Sequence, residues 1–295
     1  MAKIIFNDVY KKFGNKSVLN GLSFTCENEV LFLAGKNGAG KTTLIRSALK
    51  LEKIDRGDIS YISNSDNKTI NTGAVFDTPC LYGQMTCEEN INLFCTGFLK
   101  DKNHVKRILE NLNIDRSLLK KLASKCSFGQ QHRISVAIAL IRKPTFLFLD
   151  EPTIGLDPIS WKLVRESILR NKQEQNGCII ITGQDYFEMA DFSEKLVILD
   201  EGVAKFSGKT QEFLKDFPYK VSLTIPSKLT EKVQFNVQQE TKNNDGSYTY
   251  VFGNDVKTED VVLLTNANNI PIISLSTIET NLKDAVYTVI GGGEQ

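Results

Sequence analysis

Gly35-Lys36-Asn37-Gly38-Ala39-Gly40-Lys41-Thr42, continued by Thr43-Leu44, is the stretch that decides the fold. It fits G-x-x-x-x-G-K-[ST], a match that composition alone would produce in about 1% of chains of this length. The apolar run Val30 to Ala34 precedes it, and apolar residues at Leu44, Ile45, Ala48 and Leu49 follow it at helical spacing. The spacing therefore predicts a buried strand, a glycine-rich turn and a helix, the setting in which such a loop holds phosphate. Gly35, Gly38 and Gly40, with Asn37 and Ala39 between them, let consecutive backbone N–H groups face phosphate oxygens. Lys41 neutralises the β and γ phosphates, and Thr42, with Thr43 beside it, offers a hydroxyl to Mg²⁺.

A second segment completes that site. In Phe146-Leu147-Phe148-Leu149-Asp150-Glu151 four apolar residues form a buried strand that delivers two carboxylates at its C-terminal end. By themselves, two acids ending a strand read as a solvated strand end. In one α/β chain with the phosphate loop, Asp150 reads as a Mg²⁺ ligand and Glu151 as the group that accepts a proton from, or orients, water attacking the γ-phosphate.

Further short β-rich runs (Ile4 to Phe6, Ala74 to Phe76, Cys178 to Thr182, Leu196 to Asp200) alternate with helical patterns, which predicts an α/β core with a largely parallel sheet. From Asp77 to Pro144 the texture turns helical. Thr86-Cys87-Glu88-Glu89 is a capping box, a second helix carries Val105, Ile108, Leu109 and Leu112, and Ser127 to Arg142 reads as a third, stopped by Pro144. After Phe217-Pro218, polar alternating runs are split by Asn243-Asn244-Asp245-Gly246, a turn signal. The expected organisation is a nucleotide-binding core from residues 1–77 and 144–218, a helical subdomain over 78–143, and a small α+β accessory domain over 219–295. Gly291-Gly292-Gly293 reads as a loose terminus.

The 295 residues are 41% hydrophobic and 24% charged, enough to build a sizeable core. Lys and Arg total 36 against 35 Asp and Glu, so no overall field attracts a nucleic-acid backbone. No apolar run approaches the roughly 20 residues that cross a bilayer, and the N-terminal residues do not form a signal peptide. The six cysteines show no C-x-x-C pair and read as reduced core or surface thiols.

With Cys126-Ser127-Phe128-Gly129-Gln130-Gln131-His132-Arg133 shortly before the Asp150 strand, the chain resembles the ATP-binding subunits of ABC transporters over about residues 3 to 215, and more weakly to its end. The resemblance implies a P-loop NTPase core of RecA-like, ABC type that binds and hydrolyses ATP with Mg²⁺. It assigns Ser127, Gly129 and Gln130 to the family signature, which caps ATP on the opposite subunit, and Phe13 to the aromatic place that stacks adenine. Gly155-Leu156-Asp157 resembles the loop that contacts the partner's phosphate loop, although Asp157-Pro158 is also a good helix start. Three positions depart from the family pattern. Asp77 stands where a glutamine usually takes a water on the Mg²⁺ shell, and Gln184 stands at the switch position that is normally histidine. Gln184 can donate a hydrogen bond to the γ-phosphate but carries no charge. Phe128 replaces the first signature glycine, and its side chain is expected to point away from the nucleotide. The two histidines, His104 and His132, read as surface or packing residues.

As the resemblance implies, the chain is one ATPase subunit of a dimer, formed with itself or a paralogue, on the cytoplasmic face of the membrane beneath a separate transmembrane permease. The permease's cytoplasmic helix is expected to dock near Asp77 to Met85. The Asp77-Thr78-Pro79 segment and the tail Leu275-Ser276-Thr277-Ile278-Glu279-Thr280-Asn281-Leu282 are similar to ABC-2-type exporter ATPases, including those of bacitracin and lantibiotic immunity and of staphylococcal phenol-soluble modulin export. Amphipathic peptides, toxins or antimicrobial drugs are the cargo this implies. The alternative is a nucleotide-gated subunit with little hydrolysis of its own, paired with a more active ATPase. Soluble ABC proteins of translation or DNA repair usually carry two nucleotide domains or a long coiled coil, and neither is present in this sequence.

Overall fold

Two long strands, β1 (Ala2–Phe13) and β2 (Lys16–Glu27), open the computed structural model, which describes residues 2–63, 70–217, 219–229, 237–253 and 256–291. They form an antiparallel hairpin in which Phe13 pairs with Lys16 and Gly14 turns the chain at φ 56°. A two-residue connection cannot join parallel strands. Ile4 to Phe6 therefore lies outside the parallel sheet that the strand reading assigned it to. β1 instead pairs on its other edge with β4 (Arg56–Ser63), giving a three-stranded antiparallel sheet of order β2-β1-β4.

The central sheet is built from β3 (Val30–Ala34), β5 (Thr72–Val75), β6 (Phe146–Leu149), β7 (Cys178–Thr182), β8 (Lys195–Asp200) and β9 (Val203–Lys209), in the order β5-β6-β7-β3-β8-β9. All neighbours are parallel except the last pair. Every residue of β3, β6 and β7 is buried, as expected of parallel strands covered on both faces. Burying each Leu, Ile or Phe there stabilises the fold by roughly 1.5–3 kcal/mol. β8 and β9 join through Glu201 and Gly202, both at positive φ, as a primed hairpin turn requires.

Helix α1 (Lys41–Ala48) follows β3 and buries Leu44, Ile45 and Ala48. The helical segment comprises α2 (Cys87–Phe94), α3 (Lys102–Asn111), the short α4 (Arg116–Leu119) and α5 (Phe128–Ile141). The Thr86–Glu89 capping box forms as read, and Ser127 caps α5 with Gln130 returning the bond. After β6 come α6 (Pro158–Gln175), capped by Asp157, then α7 (Tyr186–Phe192) and α8 (Thr210–Lys215). All six cysteines are free thiols, five of them buried and Cys80 exposed.

The chain divides into two compact units, Met1–Thr210 and Gln211–Gln295, so the division falls at α8, ahead of Phe217-Pro218. The second unit holds β10 (Tyr219–Ile225), β11 (Val237–Lys242), β12 (Tyr248–Phe252), α9 (Thr258–Ala267), β13 (Ser274–Glu279) and α10 (Leu282–Val289). Its sheet runs β11-β12-β10-β13 with every neighbour antiparallel, the strand order of a split β-α-β motif. Val221, Leu223, Ile225, Tyr250, Phe252 and Val261 form its core. The turn read at Asn243 to Gly246 joins β11 to β12, with Gly246 at φ 86° and Asp245 accepting from the Ser247 backbone at 2.9 Å. Of the Gly291-Gly292-Gly293 stretch, Gly292 and Gly293 lie outside the described residues.

Candidate functional site

Three neighbouring parallel strands bring the site together at their C-terminal ends, in the order β6, β7, β3. β3 delivers the phosphate loop, β6 delivers Asp150 and Glu151, and β7 ends between them on Thr182. The loop's shape depends on glycine at two points. A Cβ on Gly35, at φ 144°, would stand 2.2 Å from the Leu199 carbonyl oxygen, and one on Gly40, at φ 106°, would stand 2.8 Å from that of Val18. Gly40 also serves as the N-cap of α1 without any side-chain cap bond, and no acidic residue occupies the first turn. The first-turn N–H groups and the positive end of the helix dipole are thus left to a ligand.

Lys41 is buried and donates Nζ to the Gly35 carbonyl at 2.7 Å and to that of Lys36 at 3.1 Å, so the ammonium is folded back inside the loop. Burial lowers its pKa, and the charges of Glu151 and Asp150 pull it back up. Asp150 is 2% exposed, and one carboxylate oxygen accepts the Thr182 hydroxyl at 2.6 Å. The same hydroxyl oxygen accepts from the Glu151 backbone N–H at 3.0 Å. Thr182 therefore aligns both acids. Its signal in the sequence is a polar residue closing an otherwise apolar buried strand, at the level of Asp150.

Glu151 sits at φ 53°, a left-handed conformation that non-glycine residues adopt at a cost of about 1–3 kcal/mol, sustained by the surrounding structure. Burial raises its carboxyl pKa above the ordinary value. Lys41 opposes that shift, Asp150 and Asp77 add to it, and a hydrogen bond from the Gln184 backbone also opposes it. A carboxylate held in this way is a better proton acceptor than an exposed one. Gln184 donates its side-chain amide to Asn37 Oδ1 at 3.3 Å.

A cleft of about 410 Å³ runs over this machinery, lined by Phe13, Lys16, Val18, Asn37, Gly38, Gly40, Lys41, Thr42, Thr43 and Glu151. Phe13 is 48% exposed, and Lys11 Nζ lies 4.9 Å from its ring centroid. Lys16 and Val18 were not singled out from the sequence. Their two-residue spacing places them on one face of β2, and the turn at Gly14 folds that face over the loop.

Asp77 is exposed and accepts from the Thr78 backbone at 2.7 Å. Ser127, Gly129, Gln130 and Asp157 do not line the cleft. Ser127 and Gln130 close the α5 capping box, with Lys121 Nζ donating to Gln130 Oε1 at 3.2 Å, and Asp157 accepts from the Ser160 backbone at 2.8 Å. His104 and His132 are both buried in the helical segment and serve packing, away from the cleft.

The donors around Asp150, Thr42 and Asp77 are hard oxygens. Among the described residues no cluster of three His, Cys, Asp or Glu side chains could cage a metal by itself. That set fits Mg²⁺, which keeps waters and substrate phosphates in its shell and takes only one or two protein carboxylates.

A family model described as ABC transporter matches residues 19–154. The bacitracin transport ATP-binding protein BcrA of Bacillus licheniformis is 28% identical over 97% of this chain and 96% of its own length. The Nod factor export ATP-binding protein I of Burkholderia lata is 34% identical, covering 68% of this chain and 69% of that one. Among solved structures, the dimeric post-hydrolysis state of the ATP-binding cassette MJ0796 bound to ADP and Pi superposes with a TM-score of 0.62 at 22% identity, over 70% of this chain and 98% of that one. With a phosphate loop, Glu151 and an exposed aromatic ring lining one cleft and Asp150 buried next to Glu151 in the chain, the chain belongs to the ABC transporter ATP-binding proteins and is an ATPase of that family.

Proposed function

We propose that this chain is the motor subunit of an ABC exporter, in which Mg-ATP binding closes a dimer of cassettes and hydrolysis reopens it. The observation that carries the reading is the convergence of Lys41, Glu151 and Phe13 on one cleft, with Asp150 buried on Thr182 and close enough to Lys41 to act on its charge. Adenine stacks on the open face of Phe13, and the triphosphate lies on the first-turn N–H groups of α1 with Lys41 as counter-charge. Asp150, Thr42 and Asp77 would hold Mg²⁺, which would supply positive charge against the phosphates. Glu151 takes a proton from the attacking water, and the Gln184 amide donates to the γ-phosphate. ADP and inorganic phosphate leave.

Ser127, Gly129 and Gln130 act on the ATP of a second subunit, this chain or a paralogue, and Asp157 meets that subunit's phosphate loop. Their placement away from the chain's own cleft supports this reading. No helix among the described residues is long and apolar enough to cross a membrane, which supports a separate permease and a peripheral place on the cytoplasmic face. A groove of about 350 Å³ lined by Phe76, Cys80, Leu81, Phe94, Ile138 and Arg142 borders the Asp77 to Met85 segment and suits an apolar docking helix from that permease. Because BcrA matches over nearly the full length, including the second unit, amphipathic peptides or peptide antibiotics are the proposed cargo.

The test is steady-state Mg-ATP hydrolysis by the purified chain over a protein concentration series, beside Glu151→Gln. A motor that pairs with its own kind shows turnover per subunit that rises with concentration in the wild type and is lost in the variant. ATP binding without turnover in either protein overturns the self-sufficient motor in favour of the nucleotide-gated subunit.

A further inference from the structure

The signature helix and the loop after Glu151 meet inside one protomer through a residue that the family pattern does not supply. Phe128 is the first residue of α5, and its ring lies directly on Gly155. A Cβ added at Gly155 would stand 2.3 Å from Phe128 Cδ1 and 2.9 Å from Cε1. Gly129 is as close from the same helix end, since a Cβ there would stand 2.6 Å from the Gly155 carbonyl oxygen. Behind Phe128, one helical turn along α5, stands His132, fully buried, with a ring centroid 6.2 Å away and no hydrogen-bond partner for either nitrogen among the described residues. An i, i+4 aromatic neighbour of this kind limits where the Phe128 ring can go.

The loop held in this way is otherwise open to solvent. Ile154, Gly155 and Asp157 are exposed, and the loop's own bonds are local: the Ile154 N–H donates to the Glu151 carbonyl at 3.1 Å and the Leu156 N–H to that of Thr153 at 3.2 Å. The first of these ties the loop to the backbone of Glu151, the residue in the left-handed conformation. A continuous path thus runs from the Phe128 ring through Gly155 and Ile154 to the carbonyl of Glu151.

We propose that Phe128 is a positioning residue that clamps the Thr153 to Asp157 loop onto the N-terminus of α5 and thereby fixes the backbone that carries Glu151. The catalytic part of this rests on the reading of Glu151 as general base; the clamp itself does not. The side chain that departs from the signature is thus a contact within the subunit. Its partner Gly155 has no Cβ both because its φ of 71° disfavours one and because the ring occupies that space.

The experiment compares the wild-type chain with Phe128→Gly, which restores the commoner signature, and Phe128→Leu, which keeps apolar bulk. Amide hydrogen exchange is measured without nucleotide, and ATP turnover is measured in parallel. The clamp predicts that exchange at Ile154 and Leu156 speeds up about 10-fold or more in Phe128→Gly, while residues 134–141 of α5 exchange as before and Phe128→Leu falls between. Turnover falls about 5-fold at unchanged KM for ATP, because the phosphate loop is untouched while Glu151 loses its alignment. Loop exchange within twofold of wild type in both variants overturns the clamp. Faster loop exchange with unaltered kcat keeps the clamp and removes its link to Glu151. If no protein, wild type included, turns over ATP, the general-base reading fails while the exchange data still decide the clamp.

Discussion

Gln184 and Asn37 are hydrogen-bonded side chain to side chain, amide to carbonyl oxygen, at 3.3 Å, so Gln184, the proposed switch residue, rests on the phosphate loop itself. A neutral amide can lend a bond there but no charge. The γ-phosphate is itself charged, so a bond from the Gln184 amide is already charge-assisted, and an imidazolium adds a direct Coulomb attraction of about 1 kcal/mol at 4 Å in water and more where the site is partly buried.

Gln184→His is therefore expected to raise kcat about 5-fold at saturating Mg-ATP, corresponding to roughly 1 kcal/mol of transition-state stabilisation. The gain comes from an imidazolium, so it fades as pH rises through the histidine pKa, whereas the wild type has no such descending limb from this position. A pH series of kcat for the two proteins measures both features, and a variant no faster than wild type at any pH refutes the idea.

As the proposed general base, Glu151 must be ionised, and burial raises its pKa. Wild-type turnover should therefore climb with pH along an acid limb centred above the ordinary glutamate value. The same shift bears on stability. A carboxyl whose pKa is higher in the folded than in the unfolded state stabilises the fold at low pH, and that contribution is lost as pH rises through the folded pKa. Glu151→Gln, which mimics the protonated acid, should show a higher Tm than wild type at pH 7 and no difference at a pH below the unfolded carboxyl's range. Calorimetric melts at the two pH values check this, alongside the loss of turnover.

Phe13 presents one face toward the cleft while the Lys11 ammonium lies over the ring. Phe13→Ala should weaken ATP binding about 10-fold, the loss of roughly 1–1.5 kcal/mol of stacking, and Phe13→Tyr should preserve it. Titration calorimetry with ATP in a Glu151→Gln background, where turnover is expected to be lost, measures this directly. Equal affinity for ATP in Phe13→Ala and its parent would remove Phe13 from the adenine site.

Gly35 has no space for a side chain: the added Cβ would overlap the Leu199 carbonyl oxygen at 2.2 Å. Gly35→Ala must push the phosphate loop away from β8, with an expected cost of about 3 kcal/mol and a fall in Tm of about 8 °C. The loss should exceed that of Gly38→Ala, because a Cβ at Gly38 meets nothing within 4 Å. Thermal melts of the two variants rank them.

Much of the central sheet was legible because its strands are short, fully apolar and punctuated. Val30–Ala34 and Cys178–Thr182 form over the residues read, the other three strands read in this sheet differ by a residue or two at their ends, and β9 (Val203–Lys209), whose alternating polar residues carry no buried run, was not read. The helix caps at Thr86, Ser127 and Asp157 were legible for the same reason, since capping is satisfied by residues three apart in the chain. The phosphate loop and the two acids could be read because each is a contiguous motif whose chemistry depends on residue type.

The sequence by itself determined the phosphate loop, the acid pair, most of the buried parallel strands and the capped helices, all features that depend on local spacing. What only the tertiary structure decided comes from residues far apart in the chain. Thr182 reaches Asp150 across 32 positions, Gln184 reaches Asn37 across 147, and the hairpin at Gly14 brings Lys16 and Val18 over the loop and takes β1 out of the parallel sheet. It also turned Phe128 from an apparent defect in the signature into a ring seated on Gly155. No pattern within a single segment encodes these contacts, because each depends on two surfaces that meet only after the sheet has stacked its strands in an order different from the chain's.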